Sequence, residues 1–213
     1  VNLGNDTTIC AGNSVTIDAG PGASYAWSNG ATSRTITVSP SSTTTYSVTV
    51  TNATGCTGTD AKTVNIGAAV NVNLGNDTTI CAGNSVTIDA GPGASYAWSN
   101  GATSRTITVS PSSTTTYSVT VTNATGCTGT DAKTVNIGAA VNVNLGNDTT
   151  ICAGNSVTID AGPGASYAWS NGATSRTITV SPSSTTTYSV TVTNATGCTG
   201  TDAKTVNIGA AVN

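Results

Sequence analysis

Histidine, methionine and phenylalanine are absent from all 213 residues, and charged side chains make up only 7% of them. Glu and Gln do not occur either, so every acid is an Asp. An ordinary globular domain carries roughly 25% charged residues, and general acid–base catalysis draws first on His and then on Glu or Asp. Most of the vocabulary of an enzyme is therefore missing, and no catalytic residue, cofactor site or metal site is assigned. Six Lys and Arg against nine Asp give a net charge of -3. No basic stripe is available for phosphates, which excludes nucleic acid as a partner. The longest apolar runs are stubs such as Gly67-Ala68-Ala69-Val70, far short of the roughly 20 residues that span a bilayer, so no membrane insertion is expected. No charged and apolar leader precedes Val1 and the last residue falls inside a pattern, which reads as a segment of a longer mature chain.

What is present is repetition. The length is 3 × 71, and Val1 to Asn71 recurs unchanged as Val72 to Asn142 and as Val143 to Asn213. That period is too long for one coil of a solenoid and suits one small domain. The expected organisation is three domains, 1–67, 68–138 and 139–209, with 210–213 starting a further repeat. Units this small bury a limited fraction of their surface, so covalent staples are useful to them.

Within the unit, apolar and polar residues alternate at period 2, the mark of half-buried strands. The alternation predicts strands at Asn2 to Ile9, Val15 to Ile17, Tyr25 to Trp27, Ile36 to Val38, Tyr46 to Val50 and Val64 to Ile66, and no stretch has helical spacing. Turn signals separate them: Ala11-Gly12-Asn13, Gly20-Pro21-Gly22, Ser28-Asn29-Gly30, Ser39-Pro40-Ser41 and Asn52-Ala53-Thr54-Gly55. Six or seven short strands with Trp27 on the third describe an all-β, immunoglobulin-like sandwich. Its expected core is Leu3, Ile9, Val15, Ile17, Trp27, Ile36, Val38, Val48, Val50, Val64 and Ile66. Tyr46, two residues before core-facing Val48, has the placement of a tyrosine corner. The linker Val64 to Leu74 lacks the Gly/Ser or Pro richness of a flexible tether, so successive units are expected to abut as an extended rod.

The run Leu3-Gly4-Asn5-Asp6-Thr7-Thr8-Ile9, then Val15-Thr16-Ile17-Asp18-Ala19, Tyr25-Ala26-Trp27 and Tyr46-Ser47-Val48-Thr49-Val50-Thr51-Asn52 resembles the PKD-type branch of Ig-like domains. With Cys10 and Gly55-Cys56 the unit is similar to tandem repeats of large Bacteroidota surface adhesins and gliding-motility proteins. One departure is that Ser28-Asn29-Gly30 stands where the acidic turn usually follows the PKD tryptophan, so no role of those acids carries over. The resemblance also implies an O-glycosylation pattern at Asp6-Thr7-Thr8, with Thr7, Thr78 and Thr149 as acceptors.

Two cysteines per unit in a chain rich in Thr, Ser, Asn and Gly point to disulfides and an oxidising compartment, extracellular or at the cell surface. Zinc would need clustered Cys or His, and there is no His. In a sandwich, Cys10 precedes the second strand and Cys56 follows the strand of Tyr46, which sets them at opposite poles. A disulfide needs Cα atoms within about 7 Å. Interdomain pairs Cys10–Cys127 and Cys81–Cys198 are therefore favoured, leaving Cys56 and Cys152 for neighbouring units or other chains. Intradomain pairing of Cys10 with Cys56 is the alternative.

Other features have plainer readings. Asn5-Asp6-Thr7 and Asn52-Ala53-Thr54 are N-sequons by pattern, frequent by chance in such a composition. Asp6, Asp18 and Asp60 supply oxygens suited to calcium, but they are dispersed and read as surface or turn-capping residues. Lys62 could enter an isopeptide cross-link only if buried beside an acid, and the sequence places it at an exposed strand start. The outward Thr16, Thr35, Thr37, Ser47, Thr49 and Thr51 read as a wet, uncharged surface. The expected function is a structural, self-associating stalk or fibre whose partners are neighbouring repeats and other copies of the chain. The alternative is a glycan- or surface-binding adhesion module.

Overall fold

A computed structural model describes residues 1–209; residues 210–213, where the sequence reading begins a further repeat, lie outside the described residues. The first 71 residues form six strands: β1 (Thr7–Cys10), β2 (Val15–Asp18), β3 (Ser24–Trp27), β4 (Thr35–Val38), β5 (Thr44–Thr51) and β6 (Thr57–Gly67). The second repeat forms β7 (Thr78–Cys81), β8 (Val86–Asp89), β9 (Ser95–Trp98), β10 (Thr106–Val109), β11 (Thr115–Thr122) and β12 (Thr128–Gly138). The third forms β13 (Thr149–Cys152), β14 (Val157–Asp160), β15 (Ser166–Trp169), β16 (Thr177–Val180), β17 (Thr186–Thr193) and β18 (Thr199–Gly209). No helix long and apolar enough to cross a membrane occurs among the described residues.

Each set of six makes the same two sheets. In the first, β1-β6-β5-β3 form one sheet and β2-β4 the other. The pairing of β1 with β6 is parallel, and β2–β4, β3–β5 and β5–β6 are antiparallel. A four-stranded sheet facing a two-stranded one, with a first strand running parallel to the last, is an Ig-like sandwich. Its interior is built by the alternation: Ile17, Ile36 and Val38 from the small sheet meet Trp27, Val48, Val50 and Val64 from the large one. Leu145, Ile159, Trp169, Ile178, Val190 and Val206 head the equivalent cluster of the third repeat. Each fully buried Val or Ile side chain contributes roughly 1.5 to 3 kcal/mol relative to an exposed one.

By backbone proximity the described chain forms two compact units. One comprises Val1–Gly75, Ile88–Ile107 and Tyr117–Ala132; the other comprises Asn76–Thr87, Thr108–Thr116 and the chain from Lys133 on. The division falls inside the second sequence repeat. The junction of the first and second repeats thus lies within the first unit, and that of the second and third within the other.

The structure departs from the sequence reading at four places. The strand expected from Asn2 to Ile9 begins only at Thr7. Before it, the Leu3 amide donates to Asp60 Oδ2 at 2.7 Å, the Gly4 amide turns back to Asn2 Oδ1 at 2.8 Å, and Gly4 has φ 72°, so this stretch is a turn tied to a carboxylate. β6 runs for 11 residues, although its first half, Thr57 to Thr63, carries no apolar alternation. That half is recruited as the hairpin partner of β5, in a register running from Thr51↔Thr57 to Thr44↔Val64. Ile66 is half-buried and outside the core, because β6 outruns β5 after Val64 and continues beside β1 alone. Tyr46, the third residue of β5, is turned into the core, and among the described residues its hydroxyl makes no bond to the backbone. The hydroxyl that reaches back to the chain is that of Tyr25, which donates to the Gly20 carbonyl at 2.9 Å.

Candidate functional site

The three repeats are identical in sequence, so any difference between equivalent residues reports their surroundings. Cys56 is exposed, whereas its equivalents Cys127 and Cys198 are each only 3% exposed. Asn52 is exposed, and Asn123 and Asn194 are half-buried. Gly67 and Gly138 are buried, and Gly209 is half-buried. These differences all map to the junctions between consecutive repeats.

The cysteine geometry follows from β6. Parallel pairing sets Cys10 opposite Gly67 at the end of this strand, while Cys56 immediately precedes its first residue, Thr57. Eleven residues at about 3.3 Å each hold the two cysteines of one repeat roughly 35 Å apart. The same arrangement brings Cys10 to Cys127 of the next repeat: the structure has disulfides Cys10–Cys127 and Cys81–Cys198, each with a Cα–Cα distance of 5.5 Å, within the usual range. Cys56 and Cys152 are free and exposed.

Two further elements complete each junction. In the β11–β12 turn, Asn123 Oδ1 accepts the Thr125 amide at 3.0 Å, the Thr125 hydroxyl at 2.8 Å and the Cys127 amide at 2.9 Å. Its Nδ2 donates across the junction to the Ala68 carbonyl at 2.8 Å. Asn194 repeats this clamp on Ala139 at 2.8 Å. Gly126, at φ 82°, permits the turn that presents Cys127. Glycines then allow backbones to meet: a Cβ on Gly129 would overlap the Val70 carbonyl, and one on Gly67 would stand 2.8 Å from Cys127 Sγ. Gly200 and Gly138 do the same at the second junction, against Val141 and Cys198.

The sequence reading found the cysteines and missed these companions. Asn52-Ala53-Thr54 reads as a turn or a sequon, and its role at Asn123 depends on an acceptor 55 residues away in sequence. Gly58 gave no signal either: a glycine inside a strand often marks the close approach of another backbone, but the strand around it, the first half of β6, is not visible in the sequence pattern.

The remaining candidates sit elsewhere. Thr7, Thr78 and Thr149 are half-buried first residues of β1, β7 and β13, and the exposed hydroxyl of each motif is the next Thr. Asp6 accepts the Thr63 amide at 2.8 Å, and Asp60 accepts those of Leu3 and Ala61. Asp18 meets Arg34 at 2.8 Å with side chains 48% and 54% exposed, an arrangement worth little to stability. The aspartates are thus dispersed among separate partners, and no group of three or more His, Cys, Asp or Glu fit to hold a metal ion occurs among the described residues. Lys62 lies within β6, not at its start, and donates to the Leu3 carbonyl at 3.2 Å. Thr16 and Thr37 hydroxyls bond each other at 2.9 Å on the outer face of the small sheet. A cavity of about 140 Å³ beside the Cys81–Cys198 bond is smaller than the roughly 300 to 1,000 Å³ of small-molecule sites.

The carboxylate clamps are open to acid. The Leu3 amide first, then that of Ala61, holds Asp60 below the usual carboxylate range, and Asp131 and Asp202 are lowered in the same way by Leu74 with Ala132 and Leu145 with Ala203. A carboxylate with a lowered folded-state pKa stabilises the fold above its unfolded value, about 3.9, and that contribution is lost as pH falls through the folded value. Urea midpoints of the chain should therefore hold from pH 7 to about 4 and fall below it. In the triple variant D60N/D131N/D202N the midpoint should be lower at pH 7 and the acid decline shallower. An unchanged acid limb would remove these clamps from the account of stability.

No protein-family model matches the chain, and no curated protein matches it. Among solved structures it is similar to immunoglobulin domains 1–5 of Sidekick-1, at 14% identity and TM-score 0.34, covering 98% of this chain and 58% of that one. It is similar also to a 1.5-MDa bacterial ice-binding adhesin, at 19% identity and TM-score 0.37, covering 95% of both chains. A third similar structure, the Ca2+-stabilized adhesin of an Antarctic bacterium, has 18% identity and TM-score 0.36, with 94% of this chain and 71% of that one covered.

Proposed function

We propose that the chain is a structural repeat segment of an extracellular fibre or adhesin stalk, of the kind built from tandem PKD-type repeats in Bacteroidota, with Ig-like domains 1–67, 68–138 and 139–209 joined head to tail and stapled at each junction. The observation that carries this reading is the junction itself: a disulfide, an Asn clamp and a glycine notch recur with the same partners at both places where repeats meet. Identical heterologous contacts propagate rather than close, which suits a filament. Disulfides persist in oxidising surroundings, which supports a location outside the cell.

No catalytic role belongs to this proposal, because the acids serve backbone amides and an arginine. The glycan-binding alternative would use exposed aromatic platforms. Trp27, Tyr46 and their equivalents are buried, Tyr25 and its equivalents are half-buried, and nothing else favours that reading.

Counting thiols tests the proposal, and the identity of the repeats dictates how. Peptides around Cys10, Cys81 and Cys152 have the same sequence, as do those around Cys56, Cys127 and Cys198, so peptide masses cannot tell the two connectivities apart. Denatured, unreduced monomer should titrate two thiols, Cys56 and Cys152, and the variant C56S/C152S none. Pairing within repeats gives the opposite pattern, no thiol in the native sequence and free Cys10 and Cys198 in the variant, and would overturn the stapled stalk.

A further inference from the structure

The second repeat has both of its cysteines bonded, one to each neighbour: Cys127 to Cys10 and Cys81 to Cys198. They belong to opposite ends of β12. Cys127 immediately precedes Thr128, the first residue of that strand, and Cys81 pairs with Gly138, its last. The backbone that joins the two takes a longer way, 46 residues from Cys81 to Cys127 through β8, β9, β10 and β11. Each disulfide closes a loop over a sequence separation of 117, and the two loops share this stretch.

A chain so connected has different covalent routes from Cys10 to Cys198. With neither bond the route is the whole backbone, 188 residues. With either bond alone it shortens to one repeat period, 71 residues. With both, the route crosses the first bond from Cys10 to Cys127, returns along the chain to Cys81 and crosses the second bond to Cys198, so only 46 residues of backbone remain in it. At about 3.5 Å per fully extended residue, the three routes are about 660, 250 and 160 Å long.

We infer that the two junction disulfides form an interlocked strap, which limits how far the chain lengthens under tension and still holds when one bond is lost. This deepens the stalk reading and rests on it. When the second repeat yields to tension, its segment from β8 to β11 is drawn out until the strap is taut. β2 to β6 of the first repeat and β13 to β17 of the third lie in the slack loops, outside the taut route, and bear no load there. Loss of one bond lengthens the route only from 46 to 71 residues, because the surviving loop still bypasses most of the chain. Bonds closed inside separate repeats would share no loop, and each would release its own length independently of the others.

Single-molecule stretching of the full chain between handles at its two ends tests the inference. The C56S/C152S variant serves as parent, so that only the four junction cysteines remain. The fully stretched length depends on the covalent route alone and therefore reads the strap even in a variant that folds poorly. The parent should stop at about 160 Å between Cys10 and Cys198. Adding C10S/C127S, or C81S/C198S instead, should lengthen it by only about 90 Å, and removing all four cysteines by about 500 Å. If the parent, free of thiols before stretching, reaches about 660 Å, or if either one-bond variant does, the bonds sever under load and the strap is overturned while the stalk reading stands. A parent still unextended when its handles part also overturns the strap alone, since the limit is then never reached. A parent that stops at about 500 Å, the length left by a lone bond between Cys81 and Cys127, places the pairing within repeats, and the stapled stalk falls with the strap.

Discussion

Replacing both Cys10 and Cys127 by Ser should lower the free energy of unfolding the first two repeats together by up to about 5 kcal/mol. The bond joins residues 117 apart in sequence, and in the chain-entropy model a loop of that length is the principal source of its effect. The full amount is expressed only when both linked repeats unfold, since a repeat that remains folded already constrains its part of the loop. The loops closed by Cys10–Cys127 and Cys81–Cys198 overlap between Cys81 and Cys127, so with one bond intact the other closes an effectively shorter loop, and removing the first bond should cost less than removing the last. Urea unfolding followed by circular dichroism, with and without reductant, measures this for the native sequence and for C10S/C127S. The native midpoint should drop on reduction, and the double variant should drop further only by the share of Cys81–Cys198. An identical midpoint in oxidised and reduced chain would mean that the junction bonds do not constrain the unfolded state.

The second large effect comes from a single methyl group placed at two equivalent positions. Gly129→Ala sets a Cβ against the Val70 carbonyl, a backbone atom that cannot swing away, whereas among the described residues Gly58→Ala meets only Val1, its side chain at 3.2 Å and its nitrogen at 3.9 Å. Overpacking of this kind costs about 1 to 3 kcal/mol, while Gly→Ala within a strand that has room gains roughly 0.5 to 1 kcal/mol through the unfolded state. The two variants should therefore move the urea midpoint in opposite directions, with G129A also exposing the Cys10–Cys127 bond to faster reduction. Gly67→Ala and Gly209→Ala form a second pair: the first meets Cys127 Sγ at 2.8 Å, and the second finds, among the described residues, no atom nearer than Thr150 Cγ2 at 3.6 Å. Equal effects within each pair would show that the glycines matter through strand propensity alone and not through the meeting of repeats.

Identical repeats make such comparisons unusually clean. Local sequence, strand propensity and turn chemistry are the same at Gly58 and Gly129, so the difference between them isolates the neighbouring repeat. The same logic separates Asn52 from Asn123. Asn52→Ala removes only the turn bonds, and Asn123→Ala removes those bonds together with the link to Ala68.

The sequence by itself determined the class of fold and most of the core, because a strand's side chains alternate between faces and burial follows that period. Ile17, Trp27, Ile36, Val38, Val48, Val50 and Val64 were legible in this way, and all lie in the buried cluster of the first repeat. It also limited the chemistry, since missing residue types are missing in every conformation. Tertiary structure alone decided three things: where the first strand begins, how far β6 extends, and what meets at the junctions. The strand start depends on Asp60, 57 residues from Leu3, and the polar half of β6 is a strand only because β5 lies beside it. Asn123 and Gly129 acquire their roles from Ala68 and Val70, in the link that follows β6. Those are contacts between residues far apart in the chain, and local pattern carries no record of a partner that only folding and stacking bring within reach.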